Sequence, residues 1–177
     1  HILDYAVQEF MQVMNCTSAS ALVLDRNNPD HLATSAQPGA GPIVLQAEYA
    51  YFEDDSPFYP GMVLPASPIF ERLQQTQGIF NTEDVDLEPD LSPMKEFLRH
   101  HNTRSLLIVP IISGSTSGIE PTERHFRGML LAHKAATGEP HRFSPDEIEL
   151  ARTIANQSAI AIQNARLFAE TRRLTTD

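Results

Sequence analysis

Few side chains in this sequence can do covalent chemistry, and their spacing limits them further. Cys16 is the only cysteine among 177 residues. It has no partner for an internal disulfide, and a structural zinc site built on several cysteines is excluded. A lone cysteine suits a reducing compartment. Seven histidines are spread along the chain: His1, His31, His100, His101, His125, His133 and His141. His100-His101 close a predicted helix, where a cationic imidazole complements the negative end of the macrodipole. Haem or metal ligation by one of the seven is the competing reading, and no metal site is assigned. Glu83, Asp84, Asp86, Glu88 and Asp90 crowd one loop. Their spacing does not match an EF-hand, so a solvated acidic loop is expected. Neither a G-x-S-x-G elbow nor an H-E-x-x-H pair occurs, and no catalytic residue is assigned. The chain is not read as an enzyme.

Composition narrows the classes of partner. The net charge of −10 argues against nonspecific nucleic-acid binding, which needs a basic surface. Arg166, Arg172 and Arg173 lie near a helix end, where they complement its dipole. Hydrophobic residues make up 41% and charged residues 20%, as in a globular domain with a sizeable core. No apolar run approaches the roughly 18 residues of a membrane span, so a cytoplasmic location without membrane contact is expected. The first residue is His rather than Met. An excised fragment is therefore expected, with any targeting segment of its parent out of view.

The elements that must position these groups follow from periodicity and punctuation. Ile2 to Met14 has helical apolar spacing and ends at Asn15-Cys16-Thr17. Ser20 to Asp25 reads as a strand buried on both faces. Asn27-Asn28-Pro29-Asp30 is a turn, and Leu32 to Ala36 is the expected return strand. Residues 37 to 61 are rich in Pro and Gly, and Ile43 to Phe52 within them is a strand or a short helix. Ser67-Pro68 predicts a helix start, with Ile69, Phe70 and Leu73 as its apolar face and Gly78 as its left-handed end. Ile79 to Thr82 is a short strand. Ser92-Pro93 repeats the start device before a stripe of Met94, Phe97 and Leu98. Ser105 to Ile112 is nearly all apolar and predicts a central strand, with Pro110 toward its end. A polar loop, 113–124, separates it from a partner strand, Phe126 to Lys134.

Ser144, Pro145 and Glu147 form a capping box that opens the last helix. At about 100° per residue, Ile148, Leu150, Ala151, Ile154, Ala155, Ala159, Ala161, Ile162, Ala165 and Phe168 share one arc. Ile160 and Leu167 fall outside it, and Leu174 continues their seven-residue spacing as a short heptad seam. Either a second subunit or the helix Ile2 to Met14 covers that seam. Both hold at once in a bundle of first and last helices from two subunits.

The segment Arg104-Ser105-Leu106-Leu107-Ile108-Val109-Pro110-Ile111 resembles the central strand of GAF domains. The strand ending His133-Lys134, the run Phe143-Ser144-Pro145-Asp146-Glu147 and the stretch from Ala159 to Leu167 resemble the same family, as does Phe70 to Val85. The resemblance is clearest from 92 to 170. It implies an α+β fold with an antiparallel sheet of five or six strands. The N- and C-terminal helices would pack on one face, with short helices and loops covering a pocket on the other. The domain would span 1–168, and 169–177 would begin a helical linker to an output domain.

The resemblance also implies a sensory, regulatory module of a signal-transduction protein such as a sensor histidine kinase or a nucleotide cyclase. It would bind an unknown small molecule, with Phe70, Leu73, Phe97, His101, Leu107 and Val109 as pocket walls. Ordinary core packing competes for each of these. A homodimer through Ile160, Leu167 and Leu174 is implied too, and the alternative function is a ligand-free dimerisation relay. No cofactor is assigned. Cyclic-nucleotide-binding members carry an Asn-Lys, a Phe, then Asp-Glu. Here His133-Lys134, Phe143 and Asp146-Glu147 lack the Asn and run one residue short, so a local Lys134–Asp146 ion pair is expected instead. Covalent bilin attachment needs a suitably placed thiol, and Cys16 precedes the first strand with no Cys-His pair. The methionine sulfoxide reductase branch cycles several cysteines, which one cysteine cannot do internally.

Overall fold

A computed structural model describes residues 2–24, 45–52, 62–63, 67–92, 94–113, 125–135 and 142–176. In chain order these are α1 (Ile2–Met14), β1 (Ser18–Leu24), β2 (Leu45–Phe52), β3 (Met62–Val63), α2 (Pro68–Thr76) and β4 (Phe80–Thr82). Two 3₁₀ turns follow, Val85–Leu87 and Pro89–Leu91, then α3 (Lys95–His100), β5 (Thr103–Ser113), β6 (His125–Ala135) and α4 (Pro145–Thr176). The strands form an antiparallel sheet in the order β3-β2-β1-β6-β5-β4.

The two apolar strands expected to be neighbours are neighbours. β5 and β6 pair from Thr103↔Ala135 to Ser113↔His125. Within the stretch Ile43 to Phe52, Leu45–Phe52 is strand β2, which takes the place beside β1. The return strand expected at Leu32 to Ala36 lies outside the described residues.

Two cores flank the sheet. On one face, Val7, Phe10 and Met14 of α1 and Ala151, Ile154, Ala155, Ala159 and Ile162 of α4 pack on Ala19, Ala21, Val23, Leu107, Val109 and Ile111. On the other, Ile69, Phe70 and Leu73 of α2, Leu98 of α3 and the turn residues Val85 and Leu91 pack on Leu22, Leu106, Ile108, Met129 and Leu131. Successive residues of one strand therefore serve opposite cores.

Helix ends follow local chemistry in one case and tertiary contacts in others. At α4, Ser144 N–H donates to Glu147 Oε1 (3.0 Å) and Glu147 N–H donates to Ser144 Oγ (3.2 Å), which is the predicted capping box. Asn81 fixes the approach to that cap, donating to the Phe143 carbonyl (3.0 Å) and accepting the Phe143 N–H (3.3 Å). At α2, Ser67 occupies the cap position without bonding the helix amides. Its hydroxyl donates instead to the Asp90 carbonyl at 2.6 Å. The left-handed residue that ends α2 is Gln77 (φ 53°), not Gly78. α3 begins at Lys95 after Met94, so Ser92 does not cap it; Ser92 ends the preceding 3₁₀ turn. Asn15 (φ 47°) and Asn102 (φ 52°) make the other left-handed turns, a conformation Asn tolerates well.

α4 holds 32 residues, about 48 Å at 1.5 Å per residue. The sheet backs only its first half. Burial ends at Ile162; Ala165 is exposed, and Phe168 is 66% exposed. Leu150, expected in the buried arc, is 49% exposed. A uniform periodicity reading assumes a partner along the whole helix, and the partner is shorter than the helix.

Candidate functional site

The predicted pocket residues divide between the two faces of the sheet. Phe70 and Leu73 of α2 are buried in the core beneath the short helices, and Phe97 of α3 packs against it. His101 joins Phe97 edge-to-face, with ring centroids 4.6 Å apart. Leu107 and Val109 point the other way, into the core under α1 and α4. Leu106 and Ile108 take the places expected for Leu107 and Val109. The pleat is the cause: a shift of one residue moves a side chain to the opposite face. Four of the six thus lie on the short-helix side of the sheet, together with Leu106 and Ile108.

His133, which is not among the expected pocket walls, lies on the same face. It pairs with Leu106 across the β5–β6 ladder, which puts it on the short-helix face. It is 1% exposed. Thr103 Oγ1 and His133 Nδ1 are 3.2 Å apart and share a hydrogen bond. Among the described residues, His133 Nε2 is the only buried side-chain nitrogen or oxygen without a hydrogen-bond partner. Burial, with a smaller contribution from nearby His101, pushes its pKa down to about 3, so the ring is neutral at pH 7. The signal was readable in principle: Met129, Leu131 and His133 alternate along β6, so a histidine shares a face with two core aliphatics.

Cys16 sits elsewhere. It packs against the core under the terminal helices. Burial pushes its thiol up to about 11, so it is protonated and weakly nucleophilic at neutral pH.

The acidic loop is tied to the short helices. Asp90 pairs with Arg72 of α2 at 2.6 Å, and Asp86 pairs with Arg99 of α3 at 3.2 Å. Lys95 Nζ donates to the Asp86 carbonyl at 3.1 Å, and Glu88 Oε1 accepts from Thr82 Oγ1 at 3.0 Å. Each exposed pair contributes little alone, about 0–1 kcal/mol. No cluster of three potential metal ligands occurs among the described residues. Lys134 approaches Glu147 (3.9 Å), not Asp146, and lies 5.0 Å from the centre of the Phe143 ring. Among the described residues, no helix is long and apolar enough to cross a membrane.

The sequence model of the GAF domain matches residues 1–162. The circadian input-output histidine kinase CikA of Thermosynechococcus vestitus is 28% identical over 107 residues, a stretch covering 60% of this chain and 13% of that protein. The fold is similar to that of a far-red cyanobacteriochrome photoreceptor, with a TM-score of 0.68, 19% identity, and coverage of 93% of this chain and 85% of the other. It is similar also to a GAF domain/HD domain protein from Geobacter sulfurreducens, with a TM-score of 0.66, 15% identity and coverage of 94% and 93%.

Proposed function

The chain belongs to the GAF domain family, and from that premise we propose that it is the sensory module of a sensor histidine kinase. It binds a small molecule between the sheet and the helices α2 and α3, and relays occupancy through the terminal helices. The likeness to a histidine kinase supports the choice of parent. The ladder order supports the family's sheet of five or six strands. Residues 1–168 are then the domain and 169–177 the start of its linker. A cytoplasmic placement belongs to the same reading.

The observation that carries the ligand reading is His133 Nε2, a buried polar atom with no partner, on the face covered by His101 and Phe97. An unmet buried hydrogen-bonding group costs roughly 1–3 kcal/mol. A ligand that meets it recovers that free energy only in the bound state. The strand β5 supplies the connection outward, because Leu106 and Ile108 face the ligand side while Leu107, Val109 and Ile111 support α4. For a signal, the ligand must bind one geometry of the terminal helices better than another.

A covalently held tetrapyrrole does not fit these residues. The one thiol lies against the opposite core and is protonated at neutral pH. A noncovalent ligand is the form the residues support.

The test is a metabolite screen read by thermal unfolding. A binder at 100 times its Kd adds about 2.7 kcal/mol of stability, a Tm rise of several degrees for a domain of this size. The rise should shrink in Phe97→Ala, which opens the half-buried wall of the site. A full screen with no shift in Tm counts against the ligand reading.

A second reading, a dimerisation relay that binds nothing, is favoured by one observation. Ile160, Leu167 and Leu174 are 61%, 54% and 82% exposed. The helix α1 does not cover them, so a homodimer through the terminal helices is their natural burial. The double change Ile160→Asp and Leu167→Asp should give monomers in sedimentation at micromolar concentration. Tm at a fixed low concentration should move little, since neither side chain supports the fold. A dimer that survives both changes does not use this seam.

A further inference from the structure

A groove of about 380 Å³ lies on the other side of the sheet, between α4 and the far half of β5. Its origin is local. β4 pairs with β5 only at Leu106, Leu107 and Ile108, so β5 runs on to Ser113 past the end of β4. Above it, Ala155 and Ala159 stand one helical turn apart and pack on Val109, and the accessible apolar lining is Ile79, Ile112 and Ile160. The volume falls in the range of small-molecule sites, roughly 300–1,000 Å³.

The lining has a definite chemistry. Ile79, Ile112 and Ile160 give the groove apolar walls, while Val109 and the two alanines beneath are covered. Arg152 is the only charged side chain among the described lining residues, and it has no carboxylate partner among them. Asn156 and Gln163 follow it along α4 and offer amide donors. Ser113 closes one end, and its Oγ accepts from Arg127 Nε at 2.7 Å. That bond leaves the Ser113 hydroxyl proton polarised by a guanidinium. Pro110 also lines the groove and has no N–H to offer. A peptide strand adding to this edge would lose a ladder bond there, so the groove suits a compact molecule better than a β-strand.

We propose that this groove is a second ligand site, specific for a small amphiphilic anion with its acid group on Arg152 and its apolar body over Ile112. It lies on the opposite face of the sheet from Phe70, Leu73 and His133. It shares Ile160 with the exposed seam of α4, so its occupant would touch the surface through which the helix meets a partner.

The experiment is an amide NMR titration of the full ¹⁵N-labelled chain with sodium octanoate, beside 1-octanol as the uncharged control. Octanoate should shift the amides of Ile112, Ser113, Asn156 and Gln163, with at least tenfold higher affinity than octanol. Arg152→Gln should lower octanoate affinity tenfold or more without changing Tm, because Arg152 is an exposed side chain. No shift up to the solubility limit overturns the proposal, as does equal binding by octanol or by Arg152→Gln. Shifts confined to residues around Phe97, His101 and His133 overturn it too, while supporting the other pocket.

Discussion

Gly128→Ala lowers the unfolding free energy by roughly 3 kcal/mol or more, well above the cost of a typical single substitution, and Gly78→Ala barely moves it. Gly128 lies in β6 between Val23 of β1 and Ile111 of β5. A β-carbon there would meet the Leu22 carbonyl oxygen head-on, with the Leu22 carbon and Val23 Cα at 3.0 Å. All three are backbone atoms of a central strand, so no side-chain rotation relieves the contact. The pairing with β5 shifts register beside it, where Ile111 faces Gly128 and Ile112 faces Phe126. A glycine at a bulge where two backbones close in is expected on general grounds. At Gly78 the nearest atom to an added β-carbon is Thr76 Oγ1 at 3.3 Å, on a side chain that can turn away. The left-handed turn belongs to Gln77. Alanine at 78 therefore changes stability by no more than about 0.5 kcal/mol, the lost unfolded-state entropy offsetting any crowding. Urea denaturation of both variants checks the pair. A Gly128→Ala protein as stable as the parent would mean that β1 and β6 do not approach this closely. A costly Gly78→Ala would return the left-handed turn to residue 78.

That contrast shows what was legible in the sequence and what was not. The capping box at Ser144 and Glu147 was readable because both partners lie within three residues of each other. The adjacency of β5 and β6 was readable because two long apolar runs separated by one loop have few other ways to bury themselves. The cap at Ser67 was misread because its hydroxyl answers a carbonyl 23 residues away. Leu107 and Val109 were misplaced for another reason. In a strand apolar on both faces, alternation does not tell which face meets which core. Phe168 was expected to be buried because helical phase says which side a residue is on, not whether anything lies there. His133 was passed over as a site residue because its isolation arises only when Thr103 takes Nδ1 and the core closes round Nε2.

The imidazole of His133 makes the fold sensitive to acid in a defined window. Its pKa is about 3 in the folded chain against an ordinary 6.5. Between these values the unfolded chain binds a proton that the folded chain refuses, so stability rises with pH and is lost as pH falls. The loss begins near pH 6.5 and approaches its limiting slope, about 1.4 kcal/mol per pH unit, one unit lower. From pH 6 to pH 4 the imidazole alone should remove roughly 2.5 kcal/mol. The carboxylates titrate in the same range, so the informative quantity is a difference between two proteins. His133→Leu keeps an apolar group of similar bulk beside Leu131 and Leu106 and removes the proton-binding ring. In urea denaturation at pH 7.5, 6, 5 and 4, the His133→Leu variant should gain stability relative to the parent steadily toward acid. That trend holds whatever the offset at pH 7.5 from the unpaired Thr103 hydroxyl. The same series in His101→Asn should keep most of the acid loss, because burial outweighs the charge of His101 in shifting His133. Parallel pH curves for the parent and His133→Leu would mean that water reaches this ring. Neutrality of this ring also bears on sensing. A ring that stays neutral from pH 8 to below pH 6 offers its free nitrogen as a hydrogen bond of constant character. Ligand affinity through His133 should therefore be flat across neutral pH, which separates a receptor for a molecule from a receptor for protons.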